Sequence, residues 1–141
     1  MSPGPDNVFE RRFPNQLADL NRVTEQAVSF IEERGGTPGA VYLVNLSIEE
    51  LGTNILKYAY DDTAVHEILL RLELHPETLL LLLEDDGHEF NPLAAPDPDI
   101  NLPAEQRTPG GLGIHLIRKL AAQMTYERCG GRNRLTLKLQ P

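Results

Sequence analysis

A chain of 141 residues with 40% hydrophobic side chains can bury one substantial core, so one domain is expected. Its 21 acidic and 13 basic side chains leave a formal charge of -8, and no run of Lys or Arg forms a stripe for phosphates, which argues against nucleic acid as a partner. The single cysteine, Cys129, allows no internal disulfide, no group of His and Cys has zinc-site spacing, and the longest apolar run, Leu79 to Leu83, is far too short to span a bilayer; a cytoplasmic protein without membrane contact is expected.

Residues 1 to 7 (MSPGPDN) lack the charged and apolar pattern of a signal peptide and read as a loose tail before a domain spanning 8–141. Val8 to Phe13 alternates as a short edge strand, which Pro14 closes. Asn15 reads as the cap of a first helix with an apolar stripe of Leu20, Val23, Ala27, Phe30 and Ile31, ended by Gly35-Gly36. Thr37-Pro38 is an N-cap with proline at the first helical position, and the second helix should run to about Tyr60. Within it, Val44, Ile48, Leu51, Ile55 and Tyr58 follow spacings of three and four and form a core-facing stripe. Glu50, Asn54 and Lys57 share another face, turned roughly 110° from that stripe, at its shoulder.

Ile68, Leu70, Leu72 and Leu74 alternate with Glu67, Leu69, Arg71 and Glu73, a strand with one core face and one mainly polar face. His75-Pro76-Glu77 turns the chain into Thr78 to Glu84, an almost unbroken leucine run that suits a central strand paired antiparallel with the one before it. Asn91 to Pro109 holds Pro92, Pro96, Pro98, Pro103 and Pro109 and no hydrophobic period, so it reads as a long loop with one helical turn near Pro103 to Arg107. Gly113 to Ala122 regains helical spacing, and Met124 to Arg128 and Arg134 to Leu139 read as strands around a Gly130-Gly131 turn. Strand, two helices, two strands, loop, helix and two strands imply an α+β two-layer sandwich, a mostly antiparallel sheet with its helices on one face.

Three polar or glycine-rich clusters fall at element ends: Glu50 and Asn54, then Asp85 to Pro92 (DDGHEFNP), then Pro109 to Gly113 (PGGLG). Asp85 leaves a buried strand directly, and a carboxylate held there can accept hydrogen bonds from the N–H groups of a planar amino-heterocycle such as adenine; the same Asp-Asp-Gly also makes a plain turn. Gly110, Gly111 and Gly113 let a backbone approach a phosphate at a helix N-terminus, or form a flexible hinge. Phosphates bring Mg²⁺, for which Asn54 offers an amide oxygen, and Glu50 is placed one turn away to take a proton from a hydroxyl or water attacking a terminal phosphate. His66, His75 and His88 read as solvated, His115 as a packing or surface residue, and Cys129 as incidental.

In this order, ELGTN followed by ILKYAY, EDDGHEFNP and PGGLGIHLIRKL make the chain resemble the histidine-kinase-like (GHKL) ATPase domain of gyrase, sensor histidine kinases and mismatch-repair ATPases. It is most similar to the small stand-alone anti-sigma factor serine/threonine kinases. The resemblance implies Glu50 as general base and Asn54 as Mg²⁺ ligand. Asp85 would accept from adenine and Gly87 allow close approach. The ATP site would include Asn54, Lys57, Asp85, Gly87, Gly110, Gly111, Leu112 and Gly113, under a lid near 91–111. It further implies phosphorylation of a serine or threonine on an anti-anti-sigma-like antagonist protein, sequestration of a sigma factor by partner switching, and a homodimer. Family members often carry His where Tyr58 stands, a glycine at Glu89 and an acid near Ala122, and Arg22 sits where they use an exposed arginine for partner contact. Competing readings are a non-catalytic ATP-binding regulatory module and a detached sensor-kinase catalytic domain.

Overall fold

The computed structural model describes residues 3–94 and 111–141, without the side chains of residues 111 and 112. Its elements are β1 (Val8–Pro14), α1 (Leu17–Glu33), α2 (Pro38–Tyr58), β2 (Glu67–Leu74), β3 (Leu79–Asp85), α3 (Gly111–Leu120), β4 (Gln123–Cys129) and β5 (Arg132–Leu139), with 3-10 turns at Pro5–Asn7 and Pro92–Ala94. Every strand pairing is antiparallel, in the order β1-β2-β3-β5-β4, which puts the leucine run at the centre.

Register decides what the centre buries. Leu81 stands opposite Leu72 on one side and Leu137 on the other, and Leu72 in turn faces Phe9. These residues share one face of the sheet with Leu70, Leu79, Leu83 and Leu139 and form one core with the stripes of α1 and α2. The opposite face keeps Leu80 and Leu82 half-exposed among Arg71, Arg134 and Lys138. With, among the described residues, three helices on one side of a five-stranded open sheet, the architecture is the expected α+β two-layer sandwich.

The local signals hold where their partners are local. Thr37 caps α2 by accepting from the N–H of Ala40 at 3.1 Å, with Pro38 in the first turn. Gly130 and Gly131, with φ of 59° and 76°, make the two-residue hairpin turn between β4 and β5, a conformation that favours glycine at both positions. Asn15 does not cap α1. The cap position is Gln16, which makes no side-chain cap bond, while Asn15 accepts from the N–H of His66 at 2.8 Å and so ties the end of β1 to the start of β2. Tyr58, the last member of the α2 stripe, is 43% exposed and does not join the core. α3 starts at Gly111, two residues before its apolar period, and the helical turn expected at 103–107 lies outside the described residues.

Candidate functional site

Alternation along β3 turns Asp85 to the same side as Leu79, Leu81 and Leu83, so the last residue of the central strand puts a carboxylate into the edge of the core, 4% exposed. A buried carboxylate is costly unless it is hydrogen-bonded. Asp85 Oδ1 accepts from the Gly87 N–H at 2.9 Å and from the Asn133 amide at 3.0 Å. Its Oδ2 makes no hydrogen bond among the described residues.

Asn133, the cross-strand neighbour of Asp85 on β5, is 5% exposed and fully engaged. Its Nδ2 donates to Asp85 and, at 2.8 Å, to the His88 carbonyl. Its Oδ1 accepts from the Phe90 N–H at 3.2 Å, from Arg128 Nη1 at 3.1 Å and from the Tyr126 hydroxyl at 2.5 Å. The obligate donors on one end and obligate acceptors on the other fix which way the amide points. Arg128 also donates to the Gly87 carbonyl at 2.8 Å, so the β4–β5 hairpin grips the turn after Asp85 through backbone and side chain together. Burial pushes the Tyr126 phenol up, with the charge of Glu89 adding to it.

The other side of that turn rests on the end of α2. The His88 N–H donates to the Ala59 carbonyl at 2.9 Å, and a Cβ on Gly87 would overlap that oxygen and lie 2.6 Å from the Ala59 Cβ. Glycine is required there by close packing of protein on protein. Tyr60 donates to Asp86 at 3.0 Å and stacks on His66 with ring centroids 3.9 Å apart, and His66 pairs with Asp62 at 2.8 Å. His66 is therefore part of a stacked cluster beside the site, which corrects its reading as a solvated strand end. The Tyr60 phenol is raised, first by burial, then by the charge of Asp85 and by the bond to Asp86.

On α2, Asn54 is 7% exposed and its side chain makes no hydrogen bond among the described residues. It lines a recess together with Asp85, walled by Leu51, Ile55, Leu83 and Leu135, with Phe90 and Pro92 at its rim. A mostly apolar recess with a few polar groups in its lining is what a small organic ligand needs. Glu50, one turn before Asn54, is half-buried, and its carboxylate lies against Gly113 in the first turn of α3. A Cβ at that position would overlap the carboxyl group. Asn54, Glu50 and the start of α3 are thus neighbours, whereas Lys57 is exposed and does not line the recess.

Among the described residues no group of three or more His, Cys, Asp or Glu gathers to hold a metal by itself. The unbonded side-chain amide of Asn54 does fit a hard cation that keeps waters and takes its remaining ligands from phosphate. Gly110 lies outside the described residues, as does the 95–110 part of the expected lid, and the Leu112 side chain is likewise not described. Arg22 is exposed and paired with Asp19 at 2.8 Å. Asn133 and Arg128 went unread in the sequence because Asp85 and Gly87, which they bond, lie on the far side of a loop and a helix, and Tyr126 went unread because it acts through Asn133.

The sequence profile of the family described as histidine kinase-like ATPase domain matches residues 13–139. The chain is also similar to the serine/threonine-protein kinase BtrW of Bordetella bronchiseptica, 28% identical over 96 residues, which is 68% of this chain and 68% of that protein.

Proposed function

The chain belongs to the histidine kinase-like ATPase domain family, and from that premise we propose that it is a Mg²⁺-dependent protein serine/threonine kinase that phosphorylates a small anti-anti-sigma-like protein and switches between that partner and a sigma factor. Family membership carries ATP binding, and the likeness to a serine/threonine-protein kinase supports a phosphotransferase. The observation that carries the reading is the convergence of a free Asp85 oxygen and an unbonded Asn54 amide on one apolar recess, with Glu50 one turn before Asn54 on α2 and against the start of α3.

Asp85 Oδ2 accepts from the amino group of adenine, and Leu51, Ile55, Leu83 and Leu135 exclude water from the base. Asn54 would hold Mg²⁺, which would supply charge stabilisation at the phosphates. Glu50 receives the proton of the attacking seryl or threonyl hydroxyl as the oxygen–phosphorus bond forms and the bridging β–γ bond breaks, leaving ADP. Lys57, Gly87, Gly110, Gly111, Leu112 and Gly113 complete the nucleotide site in this reading, the glycine-rich start of α3 meeting the phosphates through backbone N–H groups.

Incubation of the protein with Mg-ATP and the anti-anti-sigma-like proteins encoded beside it, followed by mass spectrometry, should find one phosphoserine or phosphothreonine formed at stoichiometric yield. Tight ATP binding with no phosphoprotein from any candidate, and no exchange of a bound sigma factor, would leave a nucleotide-stabilised binding module and remove the kinase reading.

A further inference from the structure

A carboxylate that recognises a base can do so with one oxygen or with both, and the two modes select different bases. Two accepting oxygens match adjacent N–H donors, as on the N1 and N2 edge of guanine. One accepting oxygen matches a single N–H, such as one hydrogen of adenine's amino group. At Asp85 the choice is made by the protein. Oδ1 already accepts from Gly87 at 2.9 Å and from Asn133 at 3.0 Å, which fills both of its accepting positions. Asn133 cannot turn away to release it, because its own amide is held by His88, Phe90, Tyr126 and Arg128.

We propose that Asn133 sets the base selectivity of the recess: by occupying Oδ1 of Asp85 it leaves one accepting oxygen, and so denies guanine the two-pronged pairing while leaving adenine's amino group its partner. Asn133 is a positioning residue, since all its hydrogen-bonding capacity is spent on protein and none remains for a ligand. The Tyr126 hydroxyl, having given its proton to Asn133, meets the recess only as an acceptor and adds no donor to the base edge. This inference rests on the nucleotide-site reading above.

The test compares ATP, GTP and ITP as competitors of a fluorescent ATP analogue. ITP has the N1–H of guanine but lacks its 2-amino group, so the ratio of GTP to ITP affinity reads directly whether a second N–H finds an acceptor. In the wild type that ratio should be near one, with ATP the tightest binder. Asn133→Leu keeps the volume, leaves Oδ1 its bond from Gly87 and frees one accepting position, so GTP should gain about tenfold over ITP. Asn133→Thr, which returns a hydroxyl donor beside Oδ1, should bring the ratio back toward one. Mere loosening of the turn lowers all three affinities together and leaves the ratio unmoved. A folded Asn133→Leu protein with an unchanged ratio overturns the proposal. So does a wild type that already prefers GTP to ITP tenfold, a result that needs no variant to fold. A wild type that binds ATP selectively while the ratio fails to respond sinks only this inference, whereas one that binds no purine nucleotide sinks the nucleotide-site reading with it.

Discussion

The carboxyl group of Glu50 occupies the space where a side chain at position 113 would begin: a Cβ on Gly113 overlaps its Cδ and Oε2 and comes within 2.6 Å of its Cγ. The first turn of α3 and the proposed base on α2 are thereby set against each other, and only glycine leaves the carboxylate its place. Gly113→Ala should push the Glu50 head group aside. The obstructing atoms are the far end of a flexible side chain, and alanine is the better helix former by about 1 kcal/mol, so the fold should survive. Phosphotransfer should fall about 10²-fold with ATP affinity little changed. Single-turnover kinetics beside a thermal melt will decide; unaltered turnover would mean that the position of Glu50 is irrelevant.

Gly87→Ala should divide the same two quantities the other way. Its obstruction is the backbone carbonyl of Ala59, at the end of a helix packed in the core, and that atom cannot step aside. Overpacking of this kind costs roughly 1–3 kcal/mol. Since the turn also carries the N–H that bonds Asp85, nucleotide affinity should weaken together with stability. Equal melting midpoints for the variant and the wild type would show that the turn is not seated on α2.

The Tyr60 cluster makes a pH prediction. Burial and the neighbouring Asp85 and Asp86 hold the Tyr60 phenol in its neutral form above its ordinary value of 10.0. Above about pH 10 the unfolded chain therefore releases a proton that the folded one retains, so stability is full below that pH and declines as pH rises beyond it. Tyr126 is raised as well and contributes in the same sense. Tyr60→Phe should reduce the alkaline slope of stability without abolishing it, measured by urea unfolding between pH 8 and about 11. An identical slope in both proteins would rule out the Tyr60 phenol as its source.

The elements were legible because their causes lie within a few residues: the Thr37-Pro38 start of α2, the alternation of β2 and the paired glycines between β4 and β5. Asp85 and Asn54 stood out for a similar reason, each being a polar group placed by a periodic apolar pattern in a position where burial follows. Asn15 misled because a good capping residue was claimed by a stronger demand, the N–H of His66 far along the chain. Tyr58 kept its helical phase but stays outside the core, and phase alone cannot say how far a core extends. Asn133 left no local trace. It falls just before the strand read at Arg134 to Leu139, and its importance comes only from the antiparallel register that sets it beside Asp85.

Three substitutions separate the steps of the proposed reaction, because base recognition, metal placement and proton removal make different demands on one recess. Asp85→Asn can keep an oxygen where Gly87 and Asn133 donate, and it then turns an NH₂ group toward adenine's amino group, so two donors meet and ATP binding should weaken at least tenfold. Asn54→Ala removes the amide but touches no hydrogen bond among the described residues, so stability should hold while ATP affinity loses its dependence on Mg²⁺. Glu50→Gln preserves size and leaves both ligands bound, yet cannot take up a proton, and phosphotransfer should drop by about 10²- to 10⁴-fold at saturating Mg-ATP. Calorimetry with and without Mg²⁺, combined with rapid-quench phosphotransfer, reads all three from the same preparations. If Glu50→Gln binds Mg-ATP normally and phosphorylates the partner at the wild-type rate, the hydroxyl proton leaves by another route and Glu50 is not the base.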